Sequence, residues 1–288
     1  MTWIVMPVMA EMDMTRAAIG DCLAQSVPTK LLIINQGCPD SMRDELERIA
    51  EEYDDRVLCW AHQPPLPSLA ATWNRALDFV WEAGGTEALV VNNDVRLAPY
   101  TLGGLLGALN VSRNLFVSAV GVTPDQFTPE AEHSMYWYDE AKREVVSKGG
   151  PDFSCFLISR ECHLRFRFDE AFTPAFCEDL DYHRRLMLAG EGARIFSVNL
   201  PYLHYGSATL KTSPNRSAIE AAITQGSRAH YRAKWGGEPN HETFYYPFGE
   251  LTVLIEGDTS RDYPIPPCGS TTPELQAWVQ GTGNGSPS

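Results

Sequence analysis

The sequence has no apolar run long enough to cross a bilayer, no G-x-G-x-x-G, no C-x-x-C and no internal repeat. These absences argue in turn against a membrane-spanning helix, an oxidoreductase dinucleotide loop, a zinc knuckle and a solenoid. Positive charge is also scarce: Lys and Arg number 23 against 37 Asp and Glu, a formal net charge of −14. Bulk charge therefore does not hold this chain to nucleic acid or to an anionic membrane, although a local basic groove stays compatible with it. The seven cysteines are odd in number and scattered, which reads as reduced thiols and not as a disulfide frame. The first ten residues are apolar but run into Glu11 and Asp13 without a basic flank, the reverse of a signal peptide. They predict a buried first strand in a cytoplasmic protein without membrane insertion.

What the sequence does contain is ordinary globular composition, 44% hydrophobic and 21% charged, arranged in two alternating patterns. Short apolar runs at 3–8, 31–35, 57–61, 88–92 and 115–120 read as strands. Helical spacing fills the gaps at 14–25, 41–53, 68–83 and 99–110. The third helix is the clearest, with Leu69, Trp73, Ala76, Leu77, Val80 and Trp81 recurring on one face. Such alternation predicts an α/β fold with a mostly parallel central sheet flanked by helices. In sheets of that kind ligands bind beyond the carboxyl ends of the strands, which singles out Pro7, Val8, Asn35, the stretch 63–67 and the run Asn92, Asn93, Asp94.

After about residue 123 the pattern changes. A hairpin is expected at 135–147 around a polar turn, a strand at 153–159, a helix at 177–189 stopped by Gly190, a strand at 194–198 and a long helix at 215–235. From 257 onward Pro, Gly, Ser and Thr dominate. The expected organisation is a nucleotide-sugar-binding half at 1–123, an acceptor-side half of the same domain at 124–256, and a partly disordered tail at 257–288.

Three motifs could carry chemistry. Asp94 is a carboxylate just past a buried strand, where a diphosphate-bound Mg2+ or Mn2+ would sit, and Asx-rich turns favour the same residues. Glu178, Asp179 and Asp181 open a helix. First-turn acids suit the helix dipole in any case, while one of them at a pocket end would serve as a general base. His204 follows an apolar segment and precedes Gly206, a position from which an imidazole could reach a divalent ion or simply be a satisfied half-buried histidine. Tyr136, Trp137 and Tyr138 in the expected hairpin could stack on a sugar or a base.

Taken in order, these pieces resemble the GT-A glycosyltransferases, family 2 in particular. The opening strand ending in Pro7 and Val8, the Ala24-Gln25-Ser26-x-Pro28 turn and the strand ending Asn35-x-Gly37 are similar to the start of that family. The stretch 68–77 resembles the helix placed under the nucleotide, and the resemblance assigns Asn74 to that site. Asn92, Asn93 and Asp94 fall at the Asp-x-Asp metal motif, in the form seen in rhamnosyltransferase-like members. Gly149, Gly150 and Pro151 resemble the acceptor-side loop, with Gly150 at the nucleotide sugar. Glu178 and Asp179 match the Glu-Asp motif, whose Asp is the family's base, and His204 sits where many members supply a metal ligand. Lys234 to Gly237 with Glu242, Pro247 and Phe248 is similar to the ending of small phage-encoded glycosyltransferases. Two departures stand out: Asn92 replaces the first acid of the metal motif, and Thr72-Trp73-Asn74 replaces a frequent Ala-Arg-Asn.

The resemblance implies an inverting, Mn2+- or Mg2+-dependent transfer from a nucleotide-diphosphate sugar, a UDP-hexose ahead of dTDP-rhamnose. Asp94 and His204 would hold the metal, Asp179 would be the base with Glu178 beside it, and Trp137, Tyr138 and Asp181 would face the acceptor. That acceptor is a hydroxymethylated pyrimidine in phage DNA or a glycan or protein. A nucleotidyltransferase would want a Gly-rich basic loop after the first strand, whereas 9–14 is acidic and lacks glycine. A catalytically silent nucleotide-sugar-binding module is the alternative that Asn92 invites; the presence of Asp94, Asp179 and His204 argues against it.

Overall fold

The structure is a computed structural model that describes residues 1–62, 64–110, 114–124, 127, 151–206 and 216–243. Its centre is one eight-stranded sheet in the order β3-β2-β1-β4-β7-β6-β8-β5. The strands are β1 (Thr2–Val8), β2 (Thr29–Asn35), β3 (Val57–Ala61), β4 (Glu87–Val91), β5 (Val95–Arg96), β6 (Phe116–Val122), β7 (Cys155–Ser159) and β8 (Ile195–His204). β1 pairs in parallel with both β2 and β4, β2 with β3, and β6 with β8; β7 runs antiparallel between β4 and β6, and β5 antiparallel beside β8. Six strands therefore share one direction, and their carboxyl ends form one edge.

The helices follow from the apolar spacing. α1 (Met12–Leu23), α2 (Asp40–Tyr53), α3 (Leu69–Glu82) and α4 (Thr101–Asn110) connect the first strands, and α5 (Arg160–Arg165) and α6 (Glu178–Leu188) follow β7. α7 (Arg216–Ile223), a π-helical turn (Thr224–Arg228) and α8 (Ala229–Trp235) form the C-terminal helical segment. α3 is capped by Ser68, whose hydroxyl accepts from Ala71 N at 3.1 Å. Its expected stripe is the buried face: Trp73, Ala76, Leu77, Val80 and Trp81 are all within the core. Trp73 packs against Phe153, Phe156 and Phe168, with ring centroids 6.4, 5.5 and 4.9 Å away. Each such fully buried side chain is worth about 1.5–3 kcal/mol of transfer free energy, so this aromatic layer is what seats α3 on the sheet.

Differences from the sequence reading have local causes. β5 has only two residues, too short for any periodic signal, and exists because Val95 and Arg96 pair with His204 and Leu203. β8 extends six residues beyond the expected end because Pro201, Tyr202 and Leu203 continue the pairing with β6 past a register shift. α5 is one and a half turns capped by Ser159, below the length at which spacing is informative. The long C-terminal helix is broken by a π-helical turn at Gly226. No described helix is long and apolar enough to cross a membrane. The six described cysteines are unpaired. The expected hairpin with Trp137 and Tyr138, the Gly149 and Gly150 loop, and the tail lie outside the described residues.

Candidate active site

The carboxyl edge of the sheet is built first by β4. Beyond Val91 the chain turns, and Asn92 N donates to Ser154 O at 3.0 Å, which binds this turn to the approach of β7. Asn93 points back: its amide donates to Ala10 O at 2.7 Å and to Thr15 Oγ1 at 2.9 Å. Arg96 then forms a two-pronged pair with Asp21 at 2.6 and 3.1 Å, anchoring β5 on α1. Between these two fastenings Asp94 is held with 5% of its surface exposed. The pairing of Val95 with His204 brings the histidine alongside, and His204 Nε2 lies 3.4 Å from Asp94 Oδ1. Two residues separated by 110 positions in sequence meet because a two-residue strand adds to the end of β8.

The acid pair sits at the start of α6. Glu178 is 4% exposed, and its Oε2 is buried without a hydrogen-bond partner among the described residues. Asp179 is half-buried, and its Oδ1 accepts from Leu180 N at 2.8 Å. Burial and the charge of Asp179 hold the Glu178 carboxyl well above its ordinary value. Burial also raises Asp179, opposed by backbone amides and reinforced by Asp152 and Asp181. Of the two, Glu178 is the more buried and has the unpartnered oxygen, which disfavours its charged form, while the amide of Leu180 and the N-terminal end of α6 favour charge on Asp179. The chain enters this helix through Phe176 and Cys177 at φ 75° and 70°, two consecutive non-glycine residues in left-handed backbone. Such conformations cost about 1–3 kcal/mol each and persist where surrounding structure enforces them.

Asp152, to which the sequence reading assigns no role, stands near Ser118 and Tyr202. Its N–H donates to Ser118 Oγ, and a Cβ placed on Gly121 would lie 3.0 Å from its Oδ2 and 3.3 Å from the Tyr202 hydroxyl. Asp152 thus stands beside Tyr202, two residues before His204, and also acts electrostatically on Asp179. An acid immediately before a strand that enters the sheet next to β4 is the only signal that could have found it.

Four expected site residues have internal duties instead. Asn74 spends its whole amide in the core: Nδ2 donates to Phe168 O at 2.9 Å and Glu170 Oε1 at 2.8 Å, and Oδ1 accepts from Phe168 N at 3.0 Å and faces His163 Nε2 at 3.1 Å. Trp81 Nε1 donates to His163 Nδ1, which leaves Nε2–H as the donor to Asn74, and burial keeps His163 neutral by pushing it well below its ordinary value. Asn74 is a latch between α3 and the segment after α5, with no capacity left for a nucleotide. Asn93 is tied to α1 as described, so its amide hydrogens are not offered to a ligand. Val8 is 1% exposed and belongs to the core, with its carbonyl accepting from Gln36 N. Asp181 is fully buried, held by Arg185 at 2.8 Å, Lys234 at 2.6 Å and Trp235 at 2.9 Å.

Asn35 lies where expected but uses its oxygen to shape the turn, accepting from Gly37 N at 3.0 Å and Cys38 N at 2.9 Å. Pro7 is half-buried at the same edge. The neighbouring Gln36 is a residue sequence reasoning passed over: its Oε1 accepts from Leu66 N at 3.1 Å, while its Nε2 is buried and makes no hydrogen bond among the described residues.

No protein-family model matches this chain, and no curated protein sequence does. Solved structures do. The mannosyltransferase PcManGT from Pyrobaculum calidifontis, in complex with GDP-Man and Mn2+, is similar at TM-score 0.53 and 12% identity, over 78% of this chain and 63% of its own. S. aureus TarS 1-349 in complex with UDP-GlcNAc gives 0.52 and 11%, over 80% and 73%. GalNAc-T7 with UDP, GalNAc and Mn2+ gives 0.53 and 11%, over 81% and 50%. The mixed sheet with helices on both faces is that of the GT-A glycosyltransferases, and this chain has the GT-A fold.

Proposed function

We propose that this protein is an inverting, metal-dependent glycosyltransferase of the family 2 type, moving a sugar from a nucleotide-diphosphate donor to an acceptor hydroxyl. The observation that carries the reading is the meeting of Asp94 and His204 at 3.4 Å at the carboxyl edge of the sheet. The mannosyltransferase and GalNAc-T7 structures contain Mn2+ with GDP-Man or UDP, and TarS contains UDP-GlcNAc; these supply the donor class proposed here.

The donor set fits the metal. One carboxylate oxygen and one imidazole nitrogen suit Mn2+ or Mg2+ whose other positions are taken by diphosphate oxygens and water, and the imidazole tilts the choice to Mn2+. Among the described residues no group of three or more His, Cys, Asp or Glu is arranged to hold a metal without a ligand's help. When bound, the ion offsets the negative charge on the nucleoside diphosphate as it leaves. Asp179 takes the proton of the acceptor hydroxyl while that oxygen bonds to the anomeric carbon and the bond to the diphosphate breaks. Burial disfavours charge on Glu178, which lessens like-charge repulsion beside the base. Pro7, the turn shaped by Asn35, and Gln36 with its inward Nε2 form the proposed nucleotide side.

The donor favoured is a UDP-hexose, with dTDP-rhamnose next. The test is nucleoside diphosphate release, with Mn2+, from UDP-glucose, UDP-GlcNAc, GDP-mannose and dTDP-rhamnose, with water and with a panel of hydroxyl acceptors including hydroxymethylated DNA. Turnover of one donor supports the reading; turnover that survives a chelator contradicts it.

A further inference from the structure

The proposed chemistry leaves the C-terminal helical segment without a role, yet it grips the chain on either side of Glu178 and Asp179 through five polar contacts. Lys234 Nζ lies 2.6 Å from Asp181 Oδ1 and 2.6 Å from Asp169 Oδ2, with 7% of the residue exposed. Trp235 Nε1 donates to the same Asp181 oxygen at 2.9 Å, and His230 Nε2 stands 3.0 Å from Asp169 Oδ2. Ser227 Oγ donates to Thr173 O at 2.9 Å. The π-helical turn brings Gly226 so close that a Cβ there would fall 2.2 Å from Thr173 O, an approach only glycine permits.

Asp169 and Asp181 flank, in sequence, the stretch that carries the left-handed Phe176 and Cys177 and then Glu178 and Asp179. A lysine buried between two carboxylates is a poor device for stability alone, because apolar replacements of buried ion groups are often neutral or stabilising. It is a good device for fixing geometry. Unfavourable backbone at two successive residues needs an external hold, and the hold here is the C-terminal segment.

We infer that Lys234 is a positioning residue: by joining Asp169 to Asp181 it braces the loop and sets Asp179 against the acceptor hydroxyl. The inference rests on Asp179 being the base of the proposed transfer. Misplacement of a reacting group by about 1 Å can cost about 100-fold in rate, so loosening the brace acts on turnover more than on donor binding. It also has an electrostatic signature. The groups facing Asp179 are Glu178 and Asp181 on α6 and Asp152 before β7; those around Lys234 are Asp169 and Asp181, with His230 and Arg185 behind them, and Arg228 acts on Cys177. Lys234 offsets the Asp181 charge that pushes Asp179 up. Its removal therefore moves the acid limb of the kcat profile to higher pH.

The experiment compares wild type, Lys234→Met, Lys234→Arg and Trp235→Phe, with Asp179→Asn alongside, for Mn2+-dependent release of nucleoside diphosphate from UDP-glucose, UDP-GlcNAc and GDP-mannose. Amide hydrogen exchange of residues 172–181 is read in the same proteins and needs no donor. Lys234→Met is expected to lower kcat at least about tenfold with donor KM within about twofold, to raise the acid limb, and to speed exchange at 172–181 but not in β1 to β4. Lys234→Arg is expected to recover most of the rate. Trp235→Phe keeps an aromatic six-membered ring, removes the indole N–H that donates to Asp181, and moves the same readouts in the same direction if Lys234→Met does not fold. Unchanged kcat and exchange in a folded variant overturn the brace, as does faster exchange throughout the sheet with kcat and KM worsening together. If wild type turns over none of these donors, nor dTDP-rhamnose, with the acceptor panel, the glycosyltransferase reading fails, and exchange alone decides the brace.

Discussion

Replacing Asp179 by Asn removes proton acceptance with the smallest change of shape. The Asn oxygen can still accept from Leu180 N, the 2.8 Å hydrogen bond that seats the side chain at the start of α6. General-base help is typically worth about 10²–10⁴-fold, or about 2.7–5.5 kcal/mol of barrier, and that is the predicted loss in the chemical step. The fold should not suffer. Burial first, then Asp152 and Asp181, raise Asp179 above its unfolded value. A carboxyl raised in this way contributes stability below its unfolded pKa and loses it as pH rises through the folded pKa. Asn is neutral throughout and escapes that loss. The variant's Tm should therefore equal or exceed wild type at neutral pH, the two converging in acid. The assay is single-turnover nucleoside diphosphate release with the donor that wild type uses, beside calorimetric donor titration. A variant that keeps more than about a tenth of the wild-type rate, or loses donor affinity in step with rate, refutes the assignment of Asp179 as base.

Glu178→Gln should raise Tm at pH 7.5, because a buried carboxyl raised above its unfolded value favours the unfolded, ionised chain at that pH and a neutral amide does not, and the gain should vanish near pH 4. A Tm loss that persists at both pH values would mean the side chain has a charged partner instead. Asn74→Ala should destabilise the protein by about 1–3 kcal/mol for each buried group it orphans, Phe168 N and His163 Nε2 among them, without altering donor affinity of the folded protein. Urea unfolding at an unchanged midpoint, with weakened donor binding, would restore Asn74 to the nucleotide site. Gly226→Ala should lower Tm, since the new Cβ meets the Thr173 carbonyl, and circular dichroism melting is the check.

The parts of this fold visible in the sequence are those with a long periodic signal. The stripe of α3 and the strands β1, β2 and β4 follow from spacing alone because their burial is nearly continuous. Asp94 and Asp179 are legible as candidates because Asp94 lies just past β4 and Asp179 in the first turn of α6. The intrachain bonds of Asn74, Asn93 and Asp181 are not legible in sequence for one common reason: a polar residue looks the same there whether it points to a ligand or bonds its own chain. Only the positions of Phe168, Thr15 and Lys234 distinguish the two. Asp152 was missed because its neighbours, Gly121 and Tyr202, arrive from strands far away in sequence. The role of Lys234 is likewise invisible until Asp169 and Asp181 are seen on either side of it.

The central claim is that Asp94 and His204 bind a nucleotide-diphosphate sugar through a divalent ion, and calorimetric titration of the donor tests it most directly. Wild type and Asp94→Asn would be titrated with UDP-glucose, UDP-GlcNAc, GDP-mannose and dTDP-rhamnose in Mn2+ and again in EDTA. The account predicts saturable binding of at least one donor to wild type in Mn2+, lost or greatly weakened in EDTA and in Asp94→Asn. Equal affinity in EDTA, or an Asp94→Asn protein that binds the donor as wild type does in Mn2+, would contradict it.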